Sequence, residues 1–146
     1  MKIFLDTSTL AKRYMQEPGS EELEDLFSSV VKEVFVSTLA FVEFAAAIGR
    51  KLRKKEILEE SAAKAMRELE KDWHGLFSKI PLTDDLAMSA ASLAVQYPLT
   101  GADAVHLASA LAVDADLFVV SDNLLISAAE KIGIKPYNPA TGPFRR

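Results

Sequence analysis

Four carboxylates occupy positions where an ordinary helix face or loop does not call for them. Asp6 follows directly on the apolar run at residues 2–5, and Asp122 follows residues 117–120 after a single serine. Glu43 is the lone polar residue between Leu39 and Ile48, and Asp103 lies in Thr100-Gly101-Ala102-Asp103-Ala104-Val105-His106-Leu107. If the two apolar runs are strands of one parallel sheet, Asp6 and Asp122 emerge on the same edge, beyond the carboxyl ends where such sheets bind ligands. Four acids gathered there would repel one another and raise each other's pKa values. A divalent cation removes that repulsion, and an all-oxygen set suits Mg²⁺ or Mn²⁺ rather than zinc. Such ions orient and deprotonate a water and stabilise the leaving oxygen of a phosphodiester, with no side-chain nucleophile needed.

Each acid also has a plainer reading. Asp is a favoured helix N-cap, which alone would account for Asp6 or Asp122. Thr100 and Asp103 have the spacing of a capping box, although Glu or Gln is usual at the second position. Glu43 is harder to dismiss. A helix apolar all round is buried, and a buried carboxylate must be neutral, ion-paired or bound to a cation. His106 lies three residues after Asp103 on the same helical face. With His74 the only other histidine, a His-rich zinc site is unsupported. His106 therefore reads as a packing or supporting residue, with a general-base role the lesser alternative, and His74 as a helix end.

The elements that position these residues follow from periodicity. Strand-type runs lie at 2–5, 34–36 and 117–120, with weaker candidates at 79–82 and 133–135. Helical patterns fall at 20–31 (Leu23, Leu26, Phe27, Val30 and Val31), 39–53, 56–73, 84–95, 102–113 and 124–132. Strands alternating with helices predict an α/β fold, a parallel sheet covered by helices in three layers. The two consecutive helices over 39–73 predict a protruding helical hairpin.

Composition sets the class. The chain has 146 residues, no cysteine, 49% hydrophobic and 26% charged residues. It fits one domain over residues 1–146, with neither disulfides nor a thiolate metal site. No run reaches the roughly 18 apolar residues of a membrane span, so a soluble, cytoplasmic protein is expected. The net charge of −4 argues mildly against a nucleic-acid partner, but concentrating acids at one site leaves the remaining surface nearer neutral. Arg50, Lys51, Arg53, Lys54 and Lys55 form a basic cluster. It reads first as charge suited to a helix C-terminus and second as an RNA phosphate contact. Lys12 and Arg13 are placed to meet substrate if the first helix begins near Asp6.

The segments Ile3-Phe4-Leu5-Asp6-Thr7-Ser8, Ser37-Thr38-Leu39-Ala40-Phe41-Val42-Glu43, Gly101-Ala102-Asp103-Ala104-Val105-His106-Leu107-Ala108 and Val119-Val120-Ser121-Asp122 resemble, in that order, the PIN-domain ribonucleases. Order and spacing are most like the VapC-type toxins of toxin–antitoxin pairs. The resemblance spans residues 2–134. It implies a three-layer α/β/α PIN-like domain and a metal-dependent endoribonuclease, with Asp6, Glu43, Asp103 and Asp122 as catalytic, metal-coordinating acids holding Mg²⁺ or Mn²⁺. Ser8 matches a polar position that supports the first acid. Where relatives often carry Thr or Ser two residues before the last acid, this chain has Val120. Ser121 is the adjacent hydroxyl, although a one-residue offset on a strand turns a side chain to the opposite face. The resemblance further implies an RNA substrate, a homodimer, and a small antitoxin wrapped in a hydrophobic groove near the helices at 39–73, with a basic side chain directed into the acids.

Two other classes are weighed. A phospho-acceptor domain would want adjacent acids after the first strand, and a haloacid-dehalogenase-type phosphatase an Asp-x-Asp pair; this chain has Asp6-Thr7-Ser8. A catalytically silent RNA- or protein-binding module of the same fold, and a housekeeping RNA-processing nuclease, remain as alternatives.

Overall fold

The computed structural model describes residues 1–29 and 31–145; Val30, counted above among the apolar positions of the second helical pattern, lies outside the described residues. Five parallel strands form one sheet: β1 (Lys2–Leu5), β2 (Glu33–Ser37), β3 (Phe77–Ile80), β4 (Leu117–Val119) and β5 (Pro136–Tyr137), in the order β3-β2-β1-β4-β5. Among the described residues seven α-helices accompany them, α1 (Thr7–Ala11), α2 (Ser20–Phe27), α3 (Leu39–Arg53), α4 (Glu59–Gly75), α5 (Asp84–Gln96), α6 (Gly101–Ala112) and α7 (Asn123–Ile132), and a 3-10 turn (Pro139–Thr141) follows β5.

The three layers follow from side-chain alternation along the strands. Ile3, Leu5, Val34, Val36, Leu117 and Val119 point to one face, where they pack with Leu10, Leu23, Phe44 and Leu69 of α1 to α4. Phe4, Phe35 and Phe118 point to the other, against Leu107 and Ala110 of α6 and Leu125 and Ala128 of α7. Strands covered on both faces are continuously apolar, as the short runs require. Winding proceeds from β1 to β2 and β3 in one direction, then crosses back to β4 and β5 on the other side of β1. The reversal lies between β1 and β4. That is where doubly wound sheets open a crevice.

Several boundaries differ from expectation for local reasons. β3 lies two residues earlier than 79–82, because Pro81 has no N–H to contribute to a ladder. Residues 133–135 precede a strand instead of forming one: Gly133, at φ +99°, ends α7 in a left-handed cap, and pairing begins at Pro136. α2 stops at Phe27, where Ser28 and Ser29 turn their hydroxyls back onto the carbonyls of Glu24 and Leu26. α3 and α4 form the expected consecutive pair, with an exposed turn at residues 53–56, but their inner faces belong to the core through Phe44, Ile48, Ala62, Ala65 and Leu69. α3 is not buried on all sides, as its apolar sequence led one to expect: Val42 is 65% exposed. Among the described residues no helix is long and apolar enough to cross a membrane.

Candidate active site

β1 delivers Asp6 to the crevice, and α1 begins immediately after it with Asp6 as N-cap. Its Oδ1 accepts hydrogen bonds from the backbone N–H of Thr9 (3.0 Å) and the hydroxyls of Thr9 (2.9 Å) and Ser8 (3.0 Å). The capping reading and the supporting role expected of Ser8 therefore hold together. Asp6 is 4% exposed. Burial pushes its carboxyl above the usual range, and the bonds from Thr9 and Ser8 offset that only in part.

Glu43 reaches the same crevice from the second turn of α3. Its Oε1 accepts from the Thr7 hydroxyl at 2.6 Å and lies 2.6 Å from His106 Nε2. Its side chain is 32% exposed, so it is half-buried rather than enclosed. Burial, the largest single effect, raises its carboxyl, but the hydrogen bonds from His106 and Thr7 and the nearby charges of His106 and Arg50 together hold it below the ordinary carboxylate range. His106, 1% exposed on α6, is thus a direct partner of one acid, and Phe4 stands edge-on against its ring.

α6 also carries Asp103, one turn before His106, with Thr100 capping the helix through the Asp103 N–H at 3.2 Å. Burial is the main cause of its raised pKa; the neighbouring Asp122 and Asp6 raise it further. Asp122 caps α7, its Oδ1 accepting from Leu125 N–H at 2.9 Å. All four acids, with Thr7, Ser8 and His106, line one cavity of about 400 Å³. The cavity runs from the acids over an apolar floor that includes Ala11, Met15, Phe44 and Ile48 to Arg50 and Lys51.

The donor set is all oxygen and suits a hard divalent cation. Among the described residues no three His, Asp or Glu side chains are placed closely enough together to hold a metal ion between them. A hard divalent cation would have one or two of these carboxylates as direct contacts, with waters completing its shell.

Three expectations are corrected. Ser121 does not support Asp122: its hydroxyl donates to Asn138 Oδ1 at 3.0 Å, because the one-residue offset from position 120 turns it away. Lys12 is buried and pairs with Glu17 at 3.6 Å. Arg13 is taken up by Asp72 and by both oxygens of Glu24, at 2.9–3.0 Å, so neither cation is free to meet a substrate. Sequence reading missed Thr7 and Thr9 as partners of the acids. The available signal was the run of three hydroxyl residues directly after Asp6.

Comparison with known proteins adds three findings. The PIN domain family matches residues 3–131. Ribonuclease VapC45 of Mycobacterium tuberculosis (strain CDC 1551 / Oshkosh) and Ribonuclease VapC49 of strain ATCC 25618 / H37Rv are each 33% identical to this chain over 135 residues, covering 91% of this chain and 92% of theirs. Among solved structures, FitAcB from Neisseria gonorrhoeae aligns with a TM-score of 0.72 at 18% identity, covering 94% of this chain and 97% of that one. M. tuberculosis VapC20, a sarcin-ricin loop cleaving toxin, aligns at 0.69 and 18% identity over 86% of this chain and 94% of its own.

Proposed function

The chain belongs to the PIN-domain family, and we propose that within it this protein is a Mg²⁺- or Mn²⁺-dependent endoribonuclease, the toxin of a toxin–antitoxin pair. The observation that carries this reading is the meeting of Asp6, Glu43, Asp103 and Asp122 on one cavity from four separate elements. Capping would explain Asp6 and Asp122 singly but gives no reason for a common wall. In this reading residues 1–146 form one nuclease domain, most of it within the family match at residues 3–131, and the protein acts in the cytoplasm.

When bound, a divalent ion supplies charge neutralisation and activation of the attacking water. The protein's own groups do the rest. Asp6, held by Thr9 and Ser8, Glu43, held by Thr7 and His106, and Asp103 and Asp122 are the acids that would hold the ion. The apolar floor excludes water from one side of the phosphate. Arg50 and Lys51, one face along α3 from Glu43, are placed to take the RNA backbone beyond the scissile bond. The same groove would receive the antitoxin, for which the toxin–antitoxin complex from Klebsiella pneumoniae (TM-score 0.66, 14% identity) offers a fold-level parallel. A second copy of the chain is expected as dimer partner.

The test is cleavage of a mixed RNA pool by the partner-free protein with Mg²⁺, Mn²⁺ or EDTA, alongside Asp6→Asn and Glu43→Gln. Cleavage that needs metal and is lost in both variants supports the reading. A folded protein inactive on every RNA and unable to bind metal would instead be a silent binding module.

A further inference from the structure

Glu43 Oε1 receives two partners while no described side chain bonds Oε2. Thr7 Oγ1 and His106 Nε2 both stand 2.6 Å from Oε1, and they are 3.1 Å from each other. The arrangement decides the protons. An ionised carboxylate only accepts, and the single hydroxyl proton of Thr7 is given to Oε1. Nε2 must therefore carry a hydrogen and donate it. The other ring nitrogen, Nδ1, is buried and has no hydrogen-bond partner among the described residues.

Such a buried, half-satisfied ring calls for an explanation. Apolar packing does not supply one, because a leucine of similar bulk would fill the site without an orphan nitrogen. The explanation lies at the other end of the ring. We propose that Thr7 and His106 are positioning residues for the metal centre: together they clamp Glu43 Oε1 and so present Oε2 alone to the cation. The three residues come from α1, α3 and α6, which approach from opposite faces of the sheet, so the clamp also fixes how those helices meet at the crevice. This assignment rests on the metal-dependent reading of the site and adds to it two residues and a ligation mode.

The test is Mn²⁺ affinity of the partner-free protein without RNA, read by the paramagnetic resonance signal of free Mn²⁺. His106→Leu is expected to weaken binding about 10- to 100-fold, the usual effect of losing a group that orients a ligand. His106→Gln, whose side-chain amide offers a donor near the Nε2 position, is expected to recover most of it. Thr7→Val removes the second donor at a less buried place and should weaken binding in the same direction; it carries the test if His106→Leu does not fold. In a Glu43→Gln background His106→Leu should change nothing further, since the histidine acts through that carboxylate. Mn²⁺ binding that is lost in Asp6→Asn but unchanged in folded His106→Leu and Thr7→Val would overturn the clamp alone. Wild-type protein that takes up no Mn²⁺ would overturn the metal-dependent reading, and the clamp with it.

Discussion

Asp6 and Thr9 are bound to each other twice, since Oδ1 of the acid accepts both the backbone N–H and the hydroxyl of the threonine, at 3.0 and 2.9 Å. The same hydroxyl lies 2.8 Å from the carbonyl of Val119 on the neighbouring strand. One fully buried side chain thus ties the end of β1 to the end of β4, the two strands that flank the crevice.

Thr9→Val keeps the shape and deletes that hydroxyl. It removes the one hydroxyl proton available to Asp6 Oδ1 and the Val119 carbonyl, which each keep a backbone donor, a loss of about 0.5–1.5 kcal/mol. Chemical denaturation should show that loss, and RNA cleavage should fall as well because Asp6 gains freedom to turn. Unchanged stability would mean that water replaces the hydroxyl without penalty.

The acids divide by the direction of their pKa shifts, and the division predicts opposite responses to neutralisation. Asp103 is raised, chiefly by burial and then by Asp122 and Asp6. A raised acid binds its proton more tightly folded than unfolded, so it subtracts stability as pH climbs from its unfolded value through its folded one. At neutral pH, without metal, Asp103→Asn should raise Tm by about 2–4 °C, the shift that ~1 kcal/mol produces in a domain of this size. Glu43 is lowered, and contributes stability above its unfolded value that is lost as pH falls through the folded one. Glu43→Gln should therefore lower Tm at pH 7, with the difference from wild type shrinking in acid. Calorimetry between pH 3 and 7 checks both signs.

How legible the site was in the sequence depended on whether a residue broke a local pattern. Glu43 interrupts an apolar helix, and Asp6 and Asp122 end apolar strands, so each stood out alone. His106 did not. On α6 it sits within a run of buried small and apolar residues, and its role depends on Thr7 and Glu43, 99 and 63 positions distant. Arg13 failed for the same reason: proximity in sequence to Asp6 suggested substrate, while long-range partners on α2 and α4 claim it. Strand existence was readable for β1, β2 and β4, which carry Val, Ile, Leu and Phe on both faces. The edge strands β3 and β5 were misplaced by two or three residues, because a short edge strand is set by its neighbour's register more than by its own composition.

Asp72 joins two elements through Tyr14 and Arg13, accepting from the phenol at 2.7 Å and from the guanidinium at 2.9 Å. Burial, then the hydrogen bond to Asp72, pushes the Tyr14 hydroxyl far above its ordinary range, so it stays a donor at any working pH. Asp72→Ala strands both donors and should cost about 1–3 kcal/mol in denaturant unfolding. No residue of the network lines the acid cavity, so the rate of RNA cleavage per folded molecule should be unaltered. A drop in rate at full folding would show that α4 communicates with the crevice.

The basic end of α3 separates RNA binding from helix-end electrostatics. Both readings fit the sequence, since Arg50, Lys51 and Arg53 fall in the last turn. Only the RNA reading predicts a salt effect on affinity. Binding of a single-stranded RNA to the Asp6→Asn protein should weaken linearly in log salt, and each lost phosphate contact should flatten that slope by ~0.7. Arg50→Ala with Lys51→Ala should therefore reduce the slope by about 1.4 if each cation meets one phosphate. A helix-end role alone would instead lower Tm slightly, by the ~0.3–1 kcal/mol per charge that a dipole interaction contributes at a surface, with the salt slope intact. Filter binding at four salt concentrations, with melting curves on the same samples, distinguishes the two. A flattened slope at unchanged Tm assigns Arg50 and Lys51 to the RNA backbone; a lowered Tm at unchanged slope assigns them to α3.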